Sequence, residues 1–254
     1  MSQRAFVTVS GALALLGCTA QAPRPDRSQE DAWLSKAYEK YSNYDTEADV
    51  LPFTRGRVER NGDILTLILA DGGNVKLGSN RNGCEGDDEH PSEECELFQL
   101  VADLPSRHFY LVVTAYYEGA DYFLIDDRTG RKTRIGAVPI FSPDGKHFLV
   151  QDDNVAWDHE NNLEIWRREN DGATLEWANS IQQAQVETSD SMLYHTSVTK
   201  WDGNQISLSF SNNVGDRSET TWTGNITKAP TGWRLCADWP VQNDALCYEP
   251  DRAR

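Results

Sequence analysis

Short apolar runs separated by turn-forming residues dominate the sequence from residue 57 onward. The runs are ILTLIL (64–69), HFYLVVTAYY (108–117), YFLI (122–125), HFLV (147–150), LEIW (163–166) and ISLSF (206–210). Their branched and aromatic residues favour β-strands. Most runs are continuous and predict strands that are covered on both faces, whereas Ile206, Leu208 and Phe210 alternate with serines and predict one solvated face.

Two interleaved sets of turn signals accompany these strands. The first set is RNGD near residue 62, LPSR near 105, SPDGK near 144 and WDGN near 203; the second is ADGG near 72, DRTGR near 130, ENDG near 171 and APTG near 231. Turns of the second set recur about every 40 to 60 residues, which is the spacing of propeller blades with insertions. The pattern predicts four related antiparallel units within a β domain of residues 57–254.

A helical periodicity precedes the strands, within an N-terminal helix and connector of residues 28–56. Apolar side chains recur at helical spacing in SQEDAWLSKAYEKY: Trp33, Leu34, Ala37, Tyr38 and Tyr41. Ser28 is the predicted N-cap, with Asp31 three residues on. We expect one amphipathic helix packed on the domain. The acidic residues of its polar face argue against the alternative of a helix that lies in a membrane.

The first residues have the layout of an export signal. MSQRAFVTVSGALALLGC has one positive charge at Arg4, an apolar run that ends at Leu16, and then Cys18. Its ending, LLGC, resembles the lipobox of bacterial lipoproteins. The resemblance implies that residues 1–17 are removed as a signal peptide and that the Cys18 thiol is lipidated. The alternative is an ordinary signal peptide in which Cys18 is incidental.

The lipobox resemblance implies a membrane anchor in the bacterial cell envelope. Thr19 follows the cysteine, which in enteric lipoproteins favours the outer membrane, with the domain facing the periplasm. Residues 18–27, CTAQAPRPDR, contain prolines and polar residues that disfavour helix and strand, and we interpret them as a lipidated tether. No apolar run reaches about 18 residues, so we expect no transmembrane helix.

Export makes disulfides the expected state of the other four cysteines, Cys84, Cys95, Cys236 and Cys247. Four cysteines allow three pairings. The local pairing, Cys84 with Cys95 and Cys236 with Cys247, is the simplest because each pair closes a short loop. A metal site is the less favoured alternative, since neither pair has CxxC spacing and His90 is the only nearby histidine.

The stretch AVPIFSPDGKHFLV (137–150), followed by NLEIWRRENDGATLEW (162–177), resembles the blades of WD-like propellers of the TolB type. The matching motif is an aromatic residue, then Ser-Pro-Asp-Gly-Lys, then an apolar strand, and it begins here at Phe141. In its turn, Pro143 sets the entry dihedral, Asp144 supplies a side-chain hydrogen bond and Gly145 a positive φ. The resemblance implies an all-β fold: a small or incomplete propeller-like stack of about four to five antiparallel blades, with a short N-terminal helix. An antiparallel β-sandwich or barrel is the alternative.

Motifs of catalysis are missing from the sequence, which contains no GxSxG, HExxH, P-loop or GxGxxG. We expect no catalytic residue, no metal and no cofactor. The weak candidates for binding are acidic residues where strands end in loops: Asp126, Asp127, Asp152, Asp153 and Asp158. Turn caps and solvated loop carboxylates are the alternative interpretation of these residues.

Charge narrows the class of partner. The chain has 24 Lys and Arg residues against 40 Asp and Glu residues, a formal net charge of −16. Nucleic acid and bare anionic lipid are therefore poor partners, whereas a cationic protein or peptide would be steered toward the surface. The sequence predicts a membrane-anchored envelope lipoprotein that binds a protein or peptide and is not an enzyme. The alternative is a periplasmic hydrolase that acts on glycans or peptides through carboxylates converging from several blades.

Overall fold

The computed structural model describes residues 26–39, 47–84, 95–116, 119–152, 163–179, 194–212, 220–237 and 246–248. These residues form two α-helices, two short 3-10 turns and 16 strands, and the strands make four antiparallel sheets. The all-β fold class predicted from the sequence is confirmed. No helix among the described residues is long and apolar enough to cross a membrane.

Helix α1 (Arg27–Glu39) confirms the predicted N-terminal helix and packs on the domain through three buried side chains, Trp33, Leu34 and Ala37. The predicted cap is wrong by two residues. Asp26 Oδ1 accepts hydrogen bonds from the Gln29 N–H at 3.0 Å and from the Ser28 hydroxyl at 2.7 Å. Asp26 is therefore the N-cap residue, and Ser28 lies inside the first turn of the helix.

A short connector leads from this helix into the sheets through α2 (Glu47–Val50) and a 3-10 turn (Leu51–Phe53). Sheet 1 has three strands: β1 (Val58–Asn61), β2 (Ile64–Ile68) and β3 (Asn74–Gly78). A second 3-10 turn (Asn82–Cys84) follows. Sheet 2 has four strands in chain order: β4 (Leu97–Leu104), β5 (Phe109–Ala115), β6 (Ala120–Asp126) and β7 (Lys132–Ile135).

Sheets 3 and 4 repeat the same simple order. Sheet 3 consists of β8 (Ile140–Phe141), β9 (His147–Gln151), β10 (Leu163–Glu169) and β11 (Gly172–Asn179). Sheet 4 consists of β12 (Tyr194–Asp202), β13 (Gln205–Asn212), β14 (Thr220–Ala229), β15 (Gly232–Ala237) and β16 (Leu246–Tyr248). Within each sheet, every strand pairs antiparallel with the strands that precede and follow it in that sheet.

The predicted turn repeat coincides with the four sheets. Turns of the first set join β1 to β2, β4 to β5, β8 to β9 and β12 to β13; turns of the second set join β2 to β3, β6 to β7, β10 to β11 and β14 to β15. Each sheet therefore contains one turn of each set. The four repeated units expected from the sequence are the four sheets.

Sheet 3 is buried on both faces. Phe148 and Val150 of β9 belong to one hydrophobic cluster, which also contains the core of sheets 1 and 2. Leu149, between them, belongs to a second cluster that contains the core of sheet 4. Since successive side chains of a strand point to opposite faces, β9 lies between two cores. This confirms that a continuous apolar run marks a strand covered on both sides.

Sheet 4 has the one solvated face that its serine alternation predicts. Ile206, Leu208 and Phe210 are at most 1% exposed, whereas Ser207 and Ser209 between them are partly exposed. The predicted disulfides are also confirmed. Cys84 is bonded to Cys95, and Cys236 is bonded to Cys247 across the pairing of β15 with β16.

Candidate functional site

A cleft of about 320 Å³ lies between helix α1 and the first strands of sheets 3 and 4. Its lining is mainly apolar, with two hydroxyls and one carboxylate: Asp31, Leu34, Ser35, Val138, Pro139, Ile140, Phe141, Ser197 and Val198. Clefts of this size, apolar with a few convergent polar groups, are the usual form of ligand sites in proteins. This cleft is the candidate functional site.

The position of α1 creates the cleft. The helix packs on β4 and also faces β8 and β12, and each of these is the edge strand that opens its sheet. A helix over sheet edges prevents them from pairing with other chains. The cleft lies between the helix and strands β8 and β12.

A buried ion pair holds α1 in place. The Glu30 carboxylate is fully buried and accepts hydrogen bonds from the Ser106 N–H at 2.7 Å, the Ser106 hydroxyl at 2.6 Å and Arg107 Nη1 at 2.7 Å. The Arg107 side chain, 2% exposed, also donates from Nη2 to Asp31 at 2.5 Å. Four charge-assisted contacts between the helix and the β4–β5 turn fix the orientation of the helix.

The rim of the cleft next to Arg107 is acidic. Two carboxylates, Glu30 and Asp31, share the guanidinium of Arg107. Glu30 is buried, whereas the Asp31 side chain is 60% exposed and lines the cleft. A ligand with a cationic group would therefore be attracted to this rim.

Phe141 forms an apolar wall of the cleft. The guanidinium of Arg107 lies 4.7 Å from the centre of its ring, and Phe148 of the neighbouring strand packs against it with ring centres 5.4 Å apart. These contacts hold the ring in one position. The wall and the acidic rim are thus rigid parts of one surface.

The sequence candidates Asp126 and Asp127 pair with other residues of the domain. Asp126 is fully buried and accepts hydrogen bonds from Arg128 and Thr129, which closes the β6–β7 turn. Burial opposes ionisation of Asp126, but these hydrogen bonds outweigh it and lower its pKa. Asp127 accepts from Arg57 at 2.8 Å and lies 3.1 Å from His108 Nδ1. The turn-cap interpretation holds for Asp126.

Asp127 belongs to a buried polar network that joins sheets 1 and 2. Arg57 reaches Asp127, Asp103 at 3.4 Å and the Tyr110 hydroxyl at 3.2 Å. Tyr110 in turn donates to the Ile68 carbonyl at 2.5 Å. Burial raises the pKa of Tyr110 to about 12. The phenol therefore stays neutral at physiological pH and serves as a donor within the interior.

Asp152 lies far from the Asp126 pair along the sheets. Asp152 directly follows β9, at the opposite end of that strand from the β8–β9 turn. Asp126 is the last residue of β6 and lies next to the β6–β7 turn. Asp152 is buried, and its carboxylate packs against Gly136. The structure does not bring these candidates together. Asp153 and Asp158 lie outside the described residues.

A polar cluster that the sequence analysis missed joins sheets 3 and 4. Glu176 Oε2 accepts from Trp233 Nε1 at 2.9 Å and from Lys228 Nζ at 3.2 Å, and it lies 3.3 Å from His147 Nε2. Burial, followed by the nearby charge of Lys228, lowers the pKa of His147. No local motif marks these residues, because they come from four separate strands.

The described residues contain no group of three or more His, Cys, Asp or Glu side chains that could hold a metal ion. Comparisons with protein-family models, with curated proteins and with solved structures found no match for this chain. Evidence for function therefore comes from the chemistry of the cleft.

Proposed function

We propose that this protein is an envelope lipoprotein whose β domain binds a cationic segment of a protein or peptide partner in the α1 cleft, without catalysis. The observation that carries the proposal is the cleft itself, which combines an apolar wall at Phe141 with the acidic rim at Asp31. An apolar side chain next to a lysine or arginine would satisfy both features. The net charge of −16 would steer such a partner toward the protein.

The lining of the cleft suits binding better than hydrolysis. Glycan hydrolysis requires two carboxylates on either side of the bond to be cleaved. Among the described lining residues Asp31 is the one acidic group, and Arg107 holds it in an ion pair. No observation favours the hydrolase alternative over the binding function.

We further propose that the four sheets are blades of an incomplete propeller of the TolB type. The serial order of the sheets, the burial of sheet 3 on both faces and the turn of the SPDGK motif all support this assignment. The first strands of sheets 2, 3 and 4 would then surround the propeller axis, and α1 would occupy its mouth. Propeller ligands commonly meet the domain at the central channel or its rim.

Site-specific photo-crosslinking in cells tests the binding function. A photoreactive phenylalanine analogue at Ser35, which lines the cleft, should capture an envelope protein or peptide. The same analogue at Ala32, exposed on the same helix but outside the cleft, is the matched control and should capture much less. Ser197→Arg, which places a cation in the cleft, should reduce the Ser35 adduct. Equal adducts at Ser35 and Ala32 would rule out the cleft as the binding site.

A further inference from the structure

Two arginine side chains converge on the turn between β8 and β9. Arg27 Nη2 and Arg168 Nη1 lie 2.6 Å and 3.4 Å from the point that a Cβ on Gly145 would occupy. Arg168 Nη1 also donates to the Gly145 carbonyl at 2.7 Å, and its Nη2 donates to the Arg107 carbonyl at 2.7 Å. Two guanidinium groups therefore share a space that only glycine leaves open.

Neither of these two charges is neutralised by a described carboxylate. Among the described residues, Arg168 donates to two backbone carbonyls, and its buried Nε has no acceptor. Arg27 is exposed and makes no ion pair with a described carboxylate. Burial, and then the like charges of Arg128, Arg107 and Arg27, lower the pKa of Arg168. Such a cationic pair is unexpected in a chain with a net charge of −16.

The carboxylates around the pair are engaged elsewhere. Glu30 and Asp31 bind Arg107, and Asp126 binds Arg128. Asp26 caps helix α1, while Asp144 Oδ1 accepts from the Ser142 hydroxyl at 2.8 Å and the Lys146 N–H at 2.9 Å. Each neighbouring acid thus has its own partner. Arg27 and Arg168 can therefore bind an anion.

We propose that the guanidinium groups of Arg27 and Arg168, which meet over Gly145, form a binding site for a phosphate oxyanion. Guanidinium groups present paired N–H donors that match phosphate oxygens, and two of them hold one phosphate from two sides. The phosphate could belong to a lipid headgroup or be free in solution. This site does not depend on the α1 cleft or on its proposed ligand.

The position of Arg27 in the chain makes a headgroup phosphate accessible. Arg27 is the ninth residue after Cys18, and nine extended residues reach about 30 Å. If Cys18 is lipidated, the turn end of the domain can therefore contact the membrane surface. Arg27 and Arg168 would then orient the domain as well as bind the anion.

Titration of the full-length Cys18→Ala protein with inorganic phosphate tests the site, with sodium chloride at equal ionic strength as the reference. Phosphate should bind the parent, and Arg27→Gln should weaken binding about tenfold or more, as expected for the loss of one charge-assisted contact. Arg168→Gln should have the same effect if its thermal midpoint shows that it is folded. Arg81→Gln is the matched control: it removes an exposed charge that pairs with Asp63, and it should bind phosphate normally.

Vesicle sedimentation of the same proteins distinguishes the two sources of phosphate. If the ligand is a headgroup, the parent should sediment with phosphatidylglycerol vesicles but not with phosphatidylcholine vesicles, and both Arg27→Gln and added inorganic phosphate should release it. Binding of phosphate without vesicles would assign the site to a free phosphate. The proposal is overturned if phosphate acts no differently from chloride, or if Arg27→Gln binds as the parent does.

Discussion

The backbone at Gly145 has the positive φ that the SPDGK motif predicts, +68°. The hydrogen bonds of the turn are complete: the Gly145 N–H donates to the Ser142 carbonyl at 2.8 Å, and the Ser142 N–H to the His147 carbonyl at 2.9 Å. Asp144 accepts from within the same turn. A residue with a Cβ would strain this conformation, so the sequence pattern has a direct physical cause.

Gly145→Val should therefore lower the free energy of unfolding by a few kcal/mol, because valine is strained at this φ and its side chain meets Arg27 and Arg168. Gly78→Val in β3 is the matched control, since its φ is ordinary, no atom lies within 4 Å of its Cβ position and valine favours strands. Urea unfolding measures both. A parental midpoint for Gly145→Val would contradict the turn described here.

Replacement of Glu30 should also lower the free energy of unfolding. Glu30→Gln leaves the guanidinium of Arg107 buried with only the exposed Asp31 as its carboxylate partner, and we expect a loss of about 3 kcal/mol. Asp31→Asn, which removes the exposed partner of the same guanidinium, should cost under about 1 kcal/mol. Urea unfolding of the two variants side by side gives the difference. Equal losses would show that burial of Glu30 does not govern the pair.

At the scale of elements, the sequence predicted the strands that carry apolar runs and missed those that do not. The run HFLV is β9 apart from its last residue, and LEIW begins β10. By contrast, β1 is VERN, and β14 is mostly Thr, Gly, Asn and Lys. The sequences of such strands have little intrinsic β propensity. They form because neighbouring strands of the sheet supply their hydrogen bonds and cover one face.

The α1 cleft could be predicted only in part, because it brings together residues that are remote in the sequence. The helix and its buried face followed from local periodicity, but the cleft requires that α1 cover β8 and β12, which are about 100 and 160 residues away in the chain. The pairing of Glu30 with Arg107 is equally remote in sequence. By contrast, the turn of Asp126 is local, and turn capping was one of the two interpretations of this residue from the sequence.

The junction between sheets 3 and 4 should make stability depend on pH. The pKa of His147 is lowered in the folded protein, so the unfolded chain binds a proton more readily. Stability should therefore be highest above the ordinary histidine pKa of about 6.5 and should fall as the pH drops below it. The groups that face His147 are Lys228, Glu176, Asp144 and Arg167.

Urea unfolding between pH 7.5 and pH 5.5 measures this effect, in a range above the ordinary pKa values of carboxylates. His147→Gln should reduce the loss of stability over this range. If the pH dependence of His147→Gln equals that of the parent, the titration of His147 does not control the junction.

At the scale of the whole molecule, the sheets form a series. Sheet 3 is covered on both faces, while the outer face of sheet 4 is polar and carries the partly exposed Ser207 and Ser209 and the exposed Thr223. A two-layer sandwich buries one face of each sheet, and successive blades bury both faces of the inner ones. The series therefore supports the proposed propeller over the sandwich alternative.

The proposed attachment of the whole molecule to a membrane depends on Cys18, which lies outside the described residues. The LLGC ending predicts that its thiol carries lipid, and more than one acyl chain would make attachment stable. We expect Cys18→Ala to move the protein from the detergent phase to the aqueous phase when cell envelopes are partitioned.

The control for this experiment is the double variant Cys236→Ala with Cys247→Ala, which removes two other cysteines and one disulfide while it leaves the lipobox intact. It should lose about 3 kcal/mol of stability, as the entropy of an open loop predicts, yet it should stay in the detergent phase. Unfolding and delipidation are thereby separated, because one variant changes stability and the other changes partitioning. If Cys18→Ala partitions as the parent does, the lipid anchor is wrong, and the headgroup source of the phosphate at Arg27 loses its geometric support.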